Sequence, residues 1–131
     1  ALGLGEAVRF LGKRHDFHTL LPHADLFLLG SESESFGLAA LEALACGVPV
    51  CASRVGGLPE VVTEEVGRLA PMGEPGALAE MAWTLLADPA RLEAMRRAAR
   101  ERVERGYRLE PALDRFEACY RKAIARREAR R

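Results

Sequence analysis

Short apolar runs alternate with helix-spaced apolar positions over the first half of the chain, after which only the helical spacing remains. Val8–Leu11 reads as a strand, and Phe17–His23 as a short helix closing near Pro22. The run Leu26–Leu29 reads as a second, buried strand. Leu38, Leu41, Leu44 and Ala45 recur at helical spacing inside a helix from Gly37 to Cys46, which Gly47 and Pro49 stop. Val48–Ala52 reads as a third strand, Pro59–Val62 as one helical turn opened by its proline, and Gly67–Ala70 as a short fourth strand. Beyond the hinge-like Pro71–Gly76, helices are expected at Ala77–Ala87, Ala90–Arg105 and Glu110–Arg127. The first should turn Leu78, Met81, Trp83, Leu85 and Leu86 inward, and the last Leu113, Phe116, Cys119, Tyr120 and Ile124.

Strands that alternate with helices imply parallel βαβ units. The expected fold class is therefore α/β, a partial Rossmann-like parallel sheet followed by C-terminal helices. In open sheets of this kind ligands collect beyond the carboxyl ends of the strands. The polar stretch Ser31–Ser35 follows such an end directly.

Composition narrows the class further. A chain of 131 residues with 49% hydrophobic content is expected to form one domain with a proper core. No apolar run approaches the ~20 residues of a membrane span, and no basic segment precedes an apolar one as in a signal peptide. The cysteines Cys46, Cys51 and Cys119 are three in number and contain no C-x-x-C pair, so a reduced, cytoplasmic protein is the simplest account. Net charge is zero, yet residues 91–131 carry 14 Arg or Lys against 7 acids. Glu residues interrupt that basic tail, which favours a solvated helix face packed on an acidic body over a nucleic-acid surface. Peripheral contact with an anionic membrane is the next reading, and an uncovered sheet edge leaves a homo-oligomer open.

The candidate chemistry sits where the second strand gives way to a helix. Glu34 and Glu42 stand eight residues apart around Ser35, Phe36, Gly37 and Leu38. The N–H groups of Phe36, Gly37 and Leu38 open the helix, and the positive end of its dipole favours an anion, above all phosphate. Glu42 lies about one turn further in, where a carboxylate can accept from ribose hydroxyls; Glu34 stands before the helix, facing whatever the phosphate carries. Phosphate between two hydroxyl-reading carboxylates is the requirement of a nucleotide-sugar site. His15, His18 and His23 lack the spacing of a zinc site, and there is no D-x-D.

The string Ser31-Glu32-Ser33-Glu34-Ser35-Phe36-Gly37-Leu38 through Glu42-Ala43-Leu44-Ala45-Cys46-Gly47-Val48-Pro49-Val50 closely resembles the donor-site signature of retaining GT-B glycosyltransferases, often called family 4. Further matches follow in order at Val8–Gly12, Ala24–Leu28, Gly56–Val62 and Gly67–Ala70. Within that family the run from Phe10 to Glu60 is most similar to the branch that joins N-acetylglucosamine to L-malate at the first step of bacillithiol synthesis.

The resemblance implies a metal-independent transferase with no cofactor and a UDP-sugar as donor. It implies Glu34 on a sugar hydroxyl, Glu42 on the ribose, and the amides of Phe36, Gly37 and Leu38 on phosphate and sugar. The turn Gly12-Lys13-Arg14 would meet the base. It also implies that residues 1–131 are part of the C-terminal, donor-binding domain of a GT-B enzyme, without the acceptor domain or the first strands. By the same resemblance they lack the arginine and lysine that neutralise the diphosphate, so the isolated chain is expected to be inactive. A sugar-nucleotide epimerase of the same architecture and a non-catalytic nucleotide-binding module remain open.

Overall fold

The structure, a computed structural model, describes residues 3–129. Three parallel strands form one sheet in the order β1 (Phe27–Leu29), β2 (Val50–Ser53), β3 (Gly67–Ala70). Phe27 stands opposite Val50 in the first pair, and Val50 opposite Gly67 in the second. The central strand β2 is buried at all four residues, as expected of a strand covered on both faces.

Alternation along β2 sorts the core. Val50 and Ala52 pack with Ala40, Ala43 and Leu44 of α2 (Leu38–Ala45), with Leu58 and Val61 of α3 (Leu58–Val61), and with Ala99. Cys51 faces the other way, toward Ala82 and Leu85 of α4 (Pro75–Leu86) and Leu92 and Met95 of α5 (Pro89–Gly106). The long α5 thus reaches both clusters and packs on both α2 and α4.

Helix α2 ends as its sequence dictates. Gly47 takes φ +73°, its N–H donates to the Leu44 carbonyl at 2.9 Å, and the Val48 N–H donates to Ala43 at 2.9 Å. This is a Schellman closure, which needs a residue tolerant of the left-handed region.

The α/β class and the parallel sheet agree with the sequence reading; several details do not. Val8–Leu11 forms no strand: its neighbourhood is a turn in which the Ala7 and Val8 amides donate to the Leu4 carbonyl. A strand is held by a ladder and by one buried face, and this segment has neither among the described residues. Phe10 is 93% exposed. The expected Phe17–His23 helix divides into α1 (Phe17–Leu20) and a 3₁₀ turn Leu21–His23 at Pro22, whose ring cannot donate to the helical ladder. Trp83 does not join the core face of α4 but is 75% exposed. The positions that do point inward are Ala82 and Leu85. The apolar stripe of α6 (Leu109–Glu128) is likewise open, with Leu113, Phe116, Tyr120 and Ile124 each more than half exposed, since nothing among the described residues covers it.

Candidate functional site

Because β1 and β2 are parallel neighbours, the loops after Leu29 and after Ser53 leave the sheet at the same edge. The first runs to Gly37 and enters α2; the second runs to Gly57 and enters α3. Their meeting point is the site.

Gly37 is the N-cap of α2 and sits at φ +92°, ψ 47°, a conformation that excludes most side chains. No side chain caps the helix, and the first bond to its N-cap runs from the Leu41 N–H to the Gly37 carbonyl at 3.0 Å. Among the described residues, no carbonyl or side chain accepts from the amides of Phe36 through Ala40. A helix start left in this state offers several N–H donors and the positive end of a dipole to an anion.

Of the remaining sequence-predicted residues, Glu34, Ser35, Phe36, Leu38 and Glu42 adjoin that start along the chain, whereas Lys13 and Arg14 stand on a separate turn before α1. Glu34 is half-buried on the loop, and its Oε1 accepts from the Ser31 hydroxyl at 3.3 Å. Ser35 is exposed, Phe36 is partly covered, and Leu38 stands out from the first turn. Glu42 is exposed one turn further along α2. Lys13 and Arg14 are exposed on the turn before α1, where the Arg14 Nε donates to Asp16 Oδ1 at 2.9 Å. That hydrogen bond holds the Asp16 carboxyl below the usual carboxylate range. The guanidinium of Arg14 is therefore occupied within its own turn.

Residues outside the predicted set support the site from behind. The Arg102 Nε donates to the Val61 carbonyl at 2.8 Å, and its Nη2 donates to the Glu60 carbonyl. The Tyr107 hydroxyl donates to the same Glu60 oxygen at 2.9 Å. Carbonyls at the end of α3 are thus satisfied by the end of α5, and the ring of Tyr107 reaches on to Phe36. Arg96 and Arg100 dock in the same manner on the carbonyls of Ala24 and Ala45, at 2.9 and 2.7 Å. The arginine-rich spacing of α5 was the only sequence signal for these contacts. Of the basic segment, α5 packs on the body while α6 stays exposed; where the arginines of α5 reach the body they meet four backbone carbonyls and one acid, Asp25, which Arg96 contacts at 3.0 Å.

A concavity of about 840 Å³ opens beside the loop, bounded by Phe36, Leu41, Arg102, Tyr107 and Phe116 among others. It includes none of Glu34, Gly37 or Glu42. Among the described residues, no group of three or more His, Cys, Asp or Glu side chains is arranged to hold a metal ion. No helix among them is long and apolar enough to cross a membrane.

Residues 1–102 match the family described as glycosyl transferases group 1. The chain is 42% identical over 120 residues to N-acetyl-alpha-D-glucosaminyl L-malate synthase of Bacillus anthracis, covering 91% of this chain and 32% of that protein. It is 40% identical over 133 residues to D-inositol 3-phosphate glycosyltransferase 1 of Catenulispora acidiphila, covering 94% and 30%. Among solved structures, sucrose-phosphate synthase of Thermosynechococcus elongatus superposes with a TM-score of 0.84 at 38% identity, over 93% of this chain and 31% of that one. Anabaena HepE in complex with UDP superposes with a TM-score of 0.87 at 30% identity, over 92% and 34%. These neighbours are GT-B glycosyltransferases. The chain spans about a third of the length of the proteins it matches.

Proposed function

Because this chain belongs to the glycosyl transferase group 1 family, we propose that it forms the donor-binding part of a retaining, metal-independent glycosyltransferase that uses a UDP-sugar. The observation that carries the reading is the uncapped start of α2 between two carboxylates, at the carboxyl edge of a parallel sheet. A relative named for joining glucosaminyl and malate units, and a structural neighbour solved with UDP, support the finer assignment. On that assignment the donor is UDP-N-acetylglucosamine and the acceptor L-malate.

Each group has a distinct task. The amides of Phe36, Gly37 and Leu38 take the diphosphate, whose negative charge grows as the glycosidic bond breaks. Donors fixed in place before that charge develops stabilise the departing group without reorganising. Glu42 accepts from the ribose hydroxyls and Glu34 from a sugar hydroxyl, orienting the donor. The turn carrying Lys13 and Arg14 meets the base through its backbone. Such a domain holds the donor, while the acceptor and the remaining phosphate contacts come from the rest of an enzyme about three times as long.

The test is the donor affinity of Glu42→Ala in the full-length protein, titrated calorimetrically with UDP and with UDP-N-acetylglucosamine. Hydrogen bonds to a carboxylate contribute about 1.5–3 kcal/mol, so binding should weaken roughly ten- to a hundredfold. Unchanged affinity would remove the ribose role. Incubation with L-malate, followed by mass analysis for the glucosaminyl malate, tests the acceptor separately. Release of a free epimerised UDP-sugar instead would assign the epimerase reading.

A further inference from the structure

The turn after β2 presses on the loop after β1 so closely that neither of its glycines has room for a side chain. A Cβ on Gly56 would stand 1.5 Å from the Glu34 carbonyl oxygen. One on Gly57 would stand 2.8 Å from the Ser35 carbonyl oxygen and 2.9 Å from the Phe36 Cα. On the facing side, a Cβ on Gly37 would meet the Leu58 side chain at 2.6 Å. Residues 56–57 and 34–36 are therefore two backbones in direct contact, with the Leu58 side chain closing on Gly37 beside them. The turn itself is closed by the Leu58 N–H donating to the Val55 carbonyl at 3.1 Å.

The two glycines are required for different reasons. Gly56 lies at φ +51°, where glycine is favoured whatever surrounds it. Gly57 lies at φ −81°, ψ −5°, a conformation open to ordinary residues. Nothing in its own backbone calls for glycine. What excludes a Cβ there is the backbone of Ser35 and Phe36.

We infer that Gly57 is a positioning residue for the donor loop: its bare Cα sets where the Ser35–Phe36 backbone stands, and with it the amides that open α2. A methyl group at Gly57 has backbone, not a yielding side-chain tip, to push against. The loop must shift by several tenths of an ångström, and the amides shift with it. This inference rests on the donor-site reading above, because it is the phosphate grip of those amides that the shift impairs.

Gly57→Ala is to be compared with Gly73→Ala in the full-length protein. Gly73 lies at φ +78° with nothing within 4 Å of an added Cβ, so its alanine variant strains the backbone without touching the site. UDP affinity by calorimetry and unfolding temperature are measured on both, with Glu42→Ala alongside. Gly57→Ala should bind UDP at least tenfold more weakly. Gly73→Ala should keep wild-type affinity even where its unfolding temperature falls. Should Gly57→Ala fail to fold, Leu58→Val, which trims the side chain touching Gly37, should weaken UDP binding at least threefold. Wild-type affinity in the folded Gly57→Ala protein, or in Leu58→Val where that variant replaces it, overturns the positioning role. If Glu42→Ala is weakened in that same series, the donor site itself stands. A wild-type protein that does not bind UDP at all overturns both.

Discussion

The ring of Phe36 meets the ring of Tyr107 edge-on, with centroids 6.1 Å apart and planes inclined at 61°. One residue belongs to the loop that opens α2 and the other to the end of α5, separated by most of the sheet in sequence. Tyr107 adds a hydrogen bond to the Glu60 carbonyl and carries the Arg102 guanidinium 5.9 Å above its ring centre. Tyr107→Phe keeps the edge contact and loses only the hydroxyl, which should destabilise the fold by about 0.5–1.5 kcal/mol. Tyr107→Ala should cost a further 0.5–1.5 kcal/mol or so from the ring pair and loosen Phe36 as well. Urea unfolding of the two variants separates the contributions; equal midpoints would dissolve the aromatic link.

The core should respond to truncation far more than the surface aromatics do. Leu44 is fully buried between α2 and the sheet, so Leu44→Ala should cost about 2–5 kcal/mol. Trp83, 75% exposed, should be replaceable by alanine within about 0.5 kcal/mol. Chemical denaturation ranks the pair, and a large loss on replacing Trp83 would place that ring in a contact the fold does not provide.

As the sole tryptophan, Trp83 also reports on its own surroundings. Its emission should be that of a hydrated indole and should be quenched readily by iodide in the isolated 131-residue chain. A blue-shifted, protected emission would mean that α4 is covered in solution by another surface.

The thiols should divide sharply. Burial without a compensating partner pushes Cys51 up to about 11, from an ordinary value of 9.0. The folded form then holds a proton that the unfolded chain releases. Its contribution to stability is complete below pH 9 and is lost as pH rises toward 11. Alkylation at pH 8 should modify the exposed Cys119 in the native protein and reach Cys51 only after denaturation. Cys51→Ala should flatten the alkaline loss of stability in a pH series; an unchanged slope would locate its cause elsewhere.

What could be read from the residues was what they determine locally. The β1 run, the helix behind Gly37 and its closure at Gly47 all follow from spacing and turn chemistry within a dozen positions. The Ser31–Val50 string was recognisable for the same reason, since loop and helix are contiguous. Where a partner decides, pattern alone misleads. Among the described residues, Val8–Leu11 has strand composition but no ladder, and Trp83 has helical spacing but no surface to pack against. The supports of the site were invisible for a related reason. The approach of Gly57 to Ser35, and of Arg102 to the Glu60 carbonyl, joins segments more than 20 residues apart, and no local signal records it.

Helix α5 lies across the molecule like a late-fitted strap. Its arginines fasten to Ala24, Ala45, Glu60 and Val61, all of which leave the ribosome well before it does. Until those side chains arrive, Leu44 and the sheet face beneath it have one wall missing, and the earlier carbonyls have only water for partners. These contacts span 41 to 72 positions of sequence, so a shift of α5 is felt by carbonyls of three earlier segments at once.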